Sequence, residues 1–377
     1  MTVLFVLAIL VLAQAYVGYP LSLVALATIR RRRDEHVAAD VTPTVTLVIS
    51  AYNEERWLKA KIDNSLALDY PREYLRIVVV SDGSSDGTDA IAGAYGDRGV
   101  ELRRFTGRRG KVACLNEVIG TLTSDLVVMS DANSIYEGDA IRRLVRHFSD
   151  PAVGCVCGRL AYVNPGSQAA GEGEKVYWGY EGWIKRLESR LGSLLGANGS
   201  IYAYRRELFR AVDPLMFCDD VIPIRIAIAG RLVLYDPEAV CSEETATEAI
   251  EMRRRRRHAS FGMRSMARVI GEAIPAGRWL VVYQCLSHRV LRWMGGPALA
   301  AVAVATPFLP EALRYPVALV QIGFYALAAL GGLTRGLGWH LNPAYLAYYM
   351  VVIHVAGMAG LVRLALRRDT PSWEPRQ

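Results

Sequence analysis

Two segments of one shape decide the fold: Ile77-Val78-Val79-Val80-Ser81-Asp82-Gly83-Ser84 and Leu126-Val127-Val128-Met129-Ser130-Asp131-Ala132-Asn133. Each is a short unbroken apolar run, rich in valine, with an acidic turn behind it. That is the pattern of a strand buried on both faces of a parallel sheet. Ligands of open parallel sheets sit outside the carboxyl ends of the strands, and Asp82 and Asp131 stand at two such ends. Two carboxylates there suit a ligand with a sugar-ring edge and a charge that needs a metal ion.

Working outward, Val45 to Ile49 reads as a first strand, ending at Ser50-Ala51-Tyr52-Asn53-Glu54-Glu55. Trp57, Leu58, Ile62, Ser65 and Leu66 then recur at helical spacing. A helix is expected from near Asp86, a strand over 100–105, a basic glycine turn over 107–111 and a helix over 112–119. Strand and helix alternating at this rhythm specify an α/β sheet. Beyond Pro151 the rhythm loosens. A strand is expected over 153–160, an aromatic-rich helix over 172–188, a glycine turn over 196–200, a strand over 232–235 and a helix through the arginine run.

The chain has 377 residues, 52% of them hydrophobic, and a mean hydropathy of +0.18. The apolar excess lies before Arg30 and after about Leu291, so an ordinary soluble composition sits between membrane-like segments. Residues 3–29 are long enough to span a bilayer of about 30 Å. Positive charge follows that run instead of preceding it, which opposes a cleaved signal peptide. The formal net charge is +7. The basic runs Arg30–Arg33 and Arg253–Arg257 outweigh it and lie next to apolar segments, so anionic lipid headgroups are the expected partner and nucleic acid is not. Six cysteines lack the CxxC spacing of a zinc or redox site and read as small buried residues in a reducing compartment.

These motifs, in this order, resemble the membrane-anchored inverting glycosyltransferases of family 2, which include the cellulose, chitin and hyaluronan synthases. The resemblance covers about residues 43–262. It implies an α/β, Rossmann-like GT-A domain (the nucleotide-diphospho-sugar transferase fold) flanked by transmembrane helices. The expected divisions are an N-terminal transmembrane helix over 1–29, a basic linker over 30–42 and the GT-A domain over 43–262. Amphipathic interfacial helices over 263–294, about three transmembrane helices over 295–366 and a tail over 367–377 complete it. One span before the domain and three after put the C-terminus outside, whereas Arg363, Arg367 and Arg368 favour the inside.

The resemblance also implies roles. Ala51, Tyr52 and Glu54 match the loop against the nucleotide base, and Asp82 matches the carboxylate that binds the base or ribose. A turn cap is the plainer reading of Asp82. Lys111, behind Gly110, matches the basic residue near the diphosphate, where a helix N-terminus also favours an anion. Asp131 and Asn133 occupy the metal-binding Asp-x-Asp position for Mg²⁺ or Mn²⁺, with an uncharged amide in third place. Asp219-Asp220 aligns with the acidic pair, Asp220 as general base and Asp219 as its assistant. A helix N-terminus enriched in acid is the other reading of that pair.

Asn198 and Gly199 resemble the loop under the acceptor. Trp178 suits stacking on acceptor sugars, and a helix face packed on the core or membrane surface is an equally good reading. The run Arg254-Arg255-Arg256-Arg257-His258 falls where processive members carry Gln-x-x-Arg-Trp. Arg254 is then assigned to the acceptor and Arg257 to the diphosphate, and His258 stands in place of the tryptophan. The expectation is an inner or plasma membrane enzyme with a cytoplasmic catalytic domain. It transfers a sugar from a nucleotide-diphosphate sugar, UDP-linked by expectation, to a lipid-linked or growing saccharide acceptor. Two alternatives stay open: a processive synthase that extrudes polymer through its own spans, and a non-catalytic membrane-tethered nucleotide-binding regulator.

Overall fold

The structure is a computed structural model that describes residues 1–29, 41–163, 171–244, 248–336 and 342–366; within these, the side chains of 171–178, 248–256, 335–336 and 342 are not described. The expected basic linker and tail, and the side chains of Trp178 and Arg254, therefore lie largely or wholly outside the description.

Eight strands form one sheet: β1 Val45–Ala51, β2 Leu75–Ser81, β3 Val100–Arg104, β4 Leu126–Asp131, β5 Ile135–Tyr136, β6 Val153–Val163, β7 Tyr202–Arg205 and β8 Leu232–Glu244. Their spatial order is β3-β2-β1-β4-β7-β6-β8-β5. The first four are mutually parallel; β7 is antiparallel to both β4 and β6, and β8 is parallel to β6. The order reverses direction at β1, with β2 on one side and β4 on the other. Such a reversal opens a crevice at the carboxyl ends of the two strands.

Both faces of the sheet are covered. Val45, Leu47 and Ile49 pack with Leu58, Ile62, Ile141 and Leu144 of the helices Glu55–Leu66 and Ala140–Val145. Val48, Val78 and Met129 pack on the other face with Leu115, Val118, Val221 and Ile224 of the helices Lys111–Thr121 and Cys218–Ile228. Alternate residues of one strand thus feed two cores, which is why these runs are apolar without interruption. Cys155 and Cys157 share one face in the second core, and all six cysteines are free and buried.

The helix Glu248–Ala273 runs straight through the expected division at 262. It is followed by Trp279–Gln284, a π-helical turn Cys285–Val290 and the short Leu291–Trp293. Among the described residues, three helices are long and apolar enough to cross a membrane: Thr2–Ile29, Glu311–Thr334 and Pro343–Ala365. Gly295–Phe308 is apolar but shorter; at about 1.5 Å per residue it falls short of a 30 Å hydrocarbon core. It packs Ala298 and Val302 against Ala8 of the first helix. The first helix carries its own π-helical turn, Gln14–Gly18.

Candidate active site

The strand order puts the cleft where the motifs predict it. A cleft of about 410 Å³ is lined by Ser50, Ala51, Tyr52, Glu54, Val80, Asp82, Lys111, Cys114, Asp131 and Asn133. These residues come from the ends of β1, β2 and β4 and from the start of the helix Lys111–Thr121. All the expected nucleotide and metal residues except Arg257 meet here.

Asp82 is 3% exposed. Its Oδ1 accepts from the backbone N–H of Arg109 at 2.7 Å and its Oδ2 from that of Gly110 at 3.0 Å. The Cys114 thiol donates to Oδ1 at 3.3 Å; burial pushes that thiol up to about 12, so it stays protonated. Asp82 therefore ties the end of β2 to the basic turn 107–110 while lining the cleft. Gly83 is required for this closure. Its φ is +68°, and a Cβ there would sit 2.6 Å from the Gly107 carbonyl carbon.

Lys111 Nζ donates to Asp131 Oδ1 at 2.5 Å, and Ser50 Oγ donates to the same oxygen at 3.3 Å. Burial pulls the Lys111 pKa down, but Asp131, Cys218 and Asp219 more than offset this, so its ammonium is held above the usual range. Asp131 thus lies beside a fixed cation at the mouth of the switch point. The guanidinium of Arg108 lies 4.0 Å from the ring centroid of Tyr52.

The acidic pair opens the helix Cys218–Ile228. Pro223 lies inside this helix and, having no N–H, leaves the Asp219 carbonyl four residues earlier without a helical donor. The Ala197 N–H takes that carbonyl at 2.7 Å. The proline thereby frees the atom that pins the glycine turn against the acidic pair. Gly196, at φ +81°, is backed by Asp220: a Cβ there would lie 2.4 Å from Asp220 Oδ1. A Cβ on Gly199 would lie 3.1 Å from Asp219 Oδ2. Asn198 is held by Lys185 Nζ at 2.5 Å and donates to the Gly158 carbonyl at 2.6 Å.

The two carboxylates differ. Asp219 is pushed up to about 6, first by burial and then by the charge of Asp220. Asp220 is 7% exposed, and Arg289 Nη2 donates to its Oδ1 at 3.1 Å. Arg289 was not visible as a site residue in the sequence, because it belongs to no motif. Arg257 lies 5.7 Å from the ring centroid of Phe217, just before the acidic pair, instead of in the cleft. His258 stacks on the same ring at 4.7 Å. The end of the arginine run is thus brought to the acidic pair through Phe217.

Residues 46–213 match the model of the family described as Glycosyl transferase family 2. Residues 46–213 thus form a family 2 glycosyltransferase domain. The chain is 26% identical over 214 residues to the poly-beta-1,6-N-acetyl-D-glucosamine synthase of Staphylococcus aureus (strain COL), covering 54% of this chain and 51% of that one. The Staphylococcus epidermidis protein of that name is 26% identical over 205 residues, covering 52% and 49%. The chain thus spans about half the length of the curated relatives it matches. Among solved structures it resembles the mannosyltransferase PcManGT from Pyrobaculum calidifontis, determined in complex with GDP-Man and Mn²⁺. That likeness has 25% identity and a TM-score of 0.74 over 97% of this chain and 100% of that one. The domain has the GT-A architecture: a mixed α/β sheet with the cleft at its switch point.

A divalent ion is the cofactor this architecture implies. Among the described residues no three His, Cys, Asp or Glu side chains converge as an all-protein cage. The donors behind the end of β4 are instead one carboxylate, Asp131, and one amide oxygen, Asn133. Magnesium-type ions are held by one or two such hard oxygens together with substrate phosphates, so the donor set fits an ion that binds with a diphosphate.

Proposed function

We propose that this protein is a membrane-anchored, inverting glycosyltransferase that uses a nucleoside diphosphate sugar. The observation that carries the reading is the gathering of Asp82, Lys111, Asp131 and Asn133 in one cleft at the switch point of a family 2 domain. Ala51, Tyr52, Glu54 and Asp82 face the nucleoside, and Lys111 faces the diphosphate. Asp131 and Asn133 would hold Mg²⁺ or Mn²⁺, which supplies charge neutralisation for the leaving diphosphate.

Asp220 accepts the proton of an acceptor hydroxyl, whose oxygen bonds to the anomeric carbon as the bond from that carbon to the diphosphate oxygen breaks. Attack from the face opposite the leaving group inverts the centre and needs no enzyme nucleophile. Asp219 sits beside this base, its charge set by burial and by Asp220. Asn198 and Gly199 form the floor for the acceptor, a lipid-linked or growing saccharide. A UDP-sugar is the expected donor. A GDP-sugar belongs in the same test, because PcManGT was determined with GDP-Man.

Three helices suit membrane crossing, which supports anchoring at the inner or plasma membrane with the domain on the cytoplasmic side. Polymer synthesis is the second reading, favoured by the curated relatives being poly-N-acetylglucosamine synthases. Product length separates the two.

The test is release of nucleoside diphosphate and transfer by detergent-purified protein, with UDP-, GDP- and dTDP-sugars, Mn²⁺ or EDTA, and lipid-linked acceptors. One donor turned over, with loss in EDTA and in Asp131→Ala, is the expected result. Asp220→Asn should bind that donor and fail to transfer. Full activity of Asp220→Asn sinks its role as base, and binding without turnover across the panel favours the non-catalytic regulator.

A further inference from the structure

Where the membrane helices meet the catalytic domain lies a buried polar cluster that the reaction scheme does not use. Its hub is Glu188, fully buried on the helix Gly171–Arg190. Glu188 Oε1 accepts from the hydroxyl of Tyr19 at 2.5 Å and lies 2.6 Å from His288 Nδ1. Its Oε2 accepts from the backbone N–H of Leu195 at 3.1 Å. Tyr19 is fully buried and belongs to the first membrane-length helix, next to its π-helical turn. His288 belongs to the second π-helical turn. The same helix pair is joined again by Gln14, which donates to the Tyr283 hydroxyl at 3.1 Å and to Ser287 at 3.2 Å. π-Helical turns inside helices occur mostly at functional positions, and here two of them carry the cluster.

The cluster leads to the acidic pair in two further contacts. Leu195, whose N–H Glu188 holds, presents its carbonyl to Arg289 Nη2 at 2.9 Å. That Nη2 also donates to Asp220 Oδ1 at 3.1 Å. The next residue, Gly196, has no room for a side chain because Asp220 and Arg289 press against it. Glu188 thus fixes both the backbone behind Asp220 and, through His288, the turn that carries Arg289. Burial opposes the charge on Glu188, but His288, Tyr19 and the Leu195 N–H more than offset it, so the carboxylate is held below its ordinary range. A buried carboxylate with three partners is rigid, because losing any one leaves charge uncompensated.

We propose that the N-terminal membrane helix is a working part of the catalytic centre: Tyr19 and Glu188 are positioning residues that hold Arg289 and the Leu195–Gly196 backbone, and through them Asp220. The inference rests on the reading of Asp220 as the base. The donor cleft is built by β1, β2, β4 and Lys111, none of which touches Glu188 through these bonds, so donor binding is insulated from the cluster.

The experiment uses the full chain in detergent or nanodiscs, with the donor that the wild type turns over. Tyr19→Phe keeps the ring and removes one donor to Glu188, and Glu188→Gln keeps the shape and removes the charge. Thr28→Val, near the exposed end of the same helix, is the control. The expected result is a kcat reduced by about tenfold to a hundredfold in both cluster variants, the scale of a displaced catalytic group. Donor KM, donor Kd and the metal dependence should remain within twofold, and the control should behave as wild type. Wild-type kcat in folded Tyr19→Phe overturns the proposal. So does a parallel loss of donor binding, which is what a general structural role produces. Should Glu188→Gln fail to fold, Tyr19→Phe alone decides. A wild type that transfers nothing defeats the functional reading instead, so the two failures are distinguishable.

Discussion

Replacing Lys61 with methionine should make this protein more stable, and the size of the gain follows from the position of its ammonium. Lys61 lies on the helix Glu55–Leu66 and is fully buried. Among the described residues its Nζ has no hydrogen-bond acceptor; it rests 3.7 Å from the ring centroid of Tyr136. Burial pushes its pKa from 10.5 down to about 7, against weaker opposing pulls from Cys241, Asp131 and Glu243. A fall of that size corresponds to about 5 kcal/mol of unfavourable charge burial. A desolvated ammonium on an aromatic face recovers about 2 kcal/mol, which leaves a net penalty of about 3 kcal/mol. Methionine fills the same unbranched volume without charge. At about 2–4 °C per kcal/mol for a domain of this size, Lys61→Met should melt about 6–12 °C higher at pH 7. The pH dependence has a definite sign. Unfolded Lys61 keeps its proton up to 10.5, and folded Lys61 releases it at about 7. The unfolded state therefore binds more protons across that window, wild-type stability rises with pH, and the advantage of the variant shrinks. The assay is thermal unfolding by intrinsic fluorescence in one detergent, wild type against variant, at pH 7 and at pH 9.5. A lower midpoint for Lys61→Met at pH 7, or a gap that fails to narrow at pH 9.5, refutes the reasoning.

Three further outcomes are expected. Gly196→Ala places a Cβ 2.4 Å from Asp220 Oδ1 and 2.5 Å from Arg289 Nη2; transfer should fall by about a hundredfold or more with donor affinity, read by equilibrium binding, unchanged. Because Asp219 is raised to about 6, it takes up a proton as pH falls through that value, and the negative charge beside Asp220 is lost. A pH–kcat profile should therefore be level above about 6.5 and decline below about 6, and a flat profile from pH 5 to 7.5 contradicts this. With one membrane-length helix before the catalytic domain and two after it among the described residues, the domain and the C-terminus should share one side. Reporter fusions at the C-terminus and in the loop at Ser85 test this by protease accessibility in sealed vesicles, and opposite sides would count against it.

The topological expectation changes because one apolar stretch differs from its neighbours in length. The expected three spans over 295–366 include, on apolar content alone, a first stretch at about residues 295–312. The structure stops the helix after Ala305, adds one 3-10 turn to Phe308 and starts a new helix at Glu311. Pro307 and Pro310 stand at that break, and each lacks the N–H that would extend the ladder of the preceding helix. With this stretch removed from the count, the position of Arg363 near the end of the last helix no longer conflicts with the positive-inside rule. The parallel half of the sheet was legible for the opposite reason. Each of its strands is a local apolar run with a turn signal behind it, so β1, β2, β3 and β4 fall within a residue or two of their expected bounds. The two-residue strand β5 and the far half of β8 were not foreseen. They are short or mixed in composition and owe their conformation to pairing with each other and with β6, which no local window contains.

The site divides along the same line. Ala51, Tyr52, Glu54, Asp82, Lys111, Asp131 and Asn133 were legible because a switch point makes strand ends into ligand contacts, so a motif of a few residues already implies its location. Arg289 lies 69 residues after Asp220, and Glu188 lies 169 residues after Tyr19 and 100 before His288. Partners at such separations are set by how elements pack, and no spacing in the chain encodes them. One trace was present. Glu181, Lys185 and Glu188 fall on one face of a helix, interleaved with the apolar Ile184 and Leu187. Charge on a face that must also be buried requires charged or hydrogen-bonding partners from another element. Arg292 and His288 meet Glu181, Asn198 meets Lys185, and His288 and Tyr19 meet Glu188. This face of the helix is the seam that joins the membrane-length helices to the acidic pair.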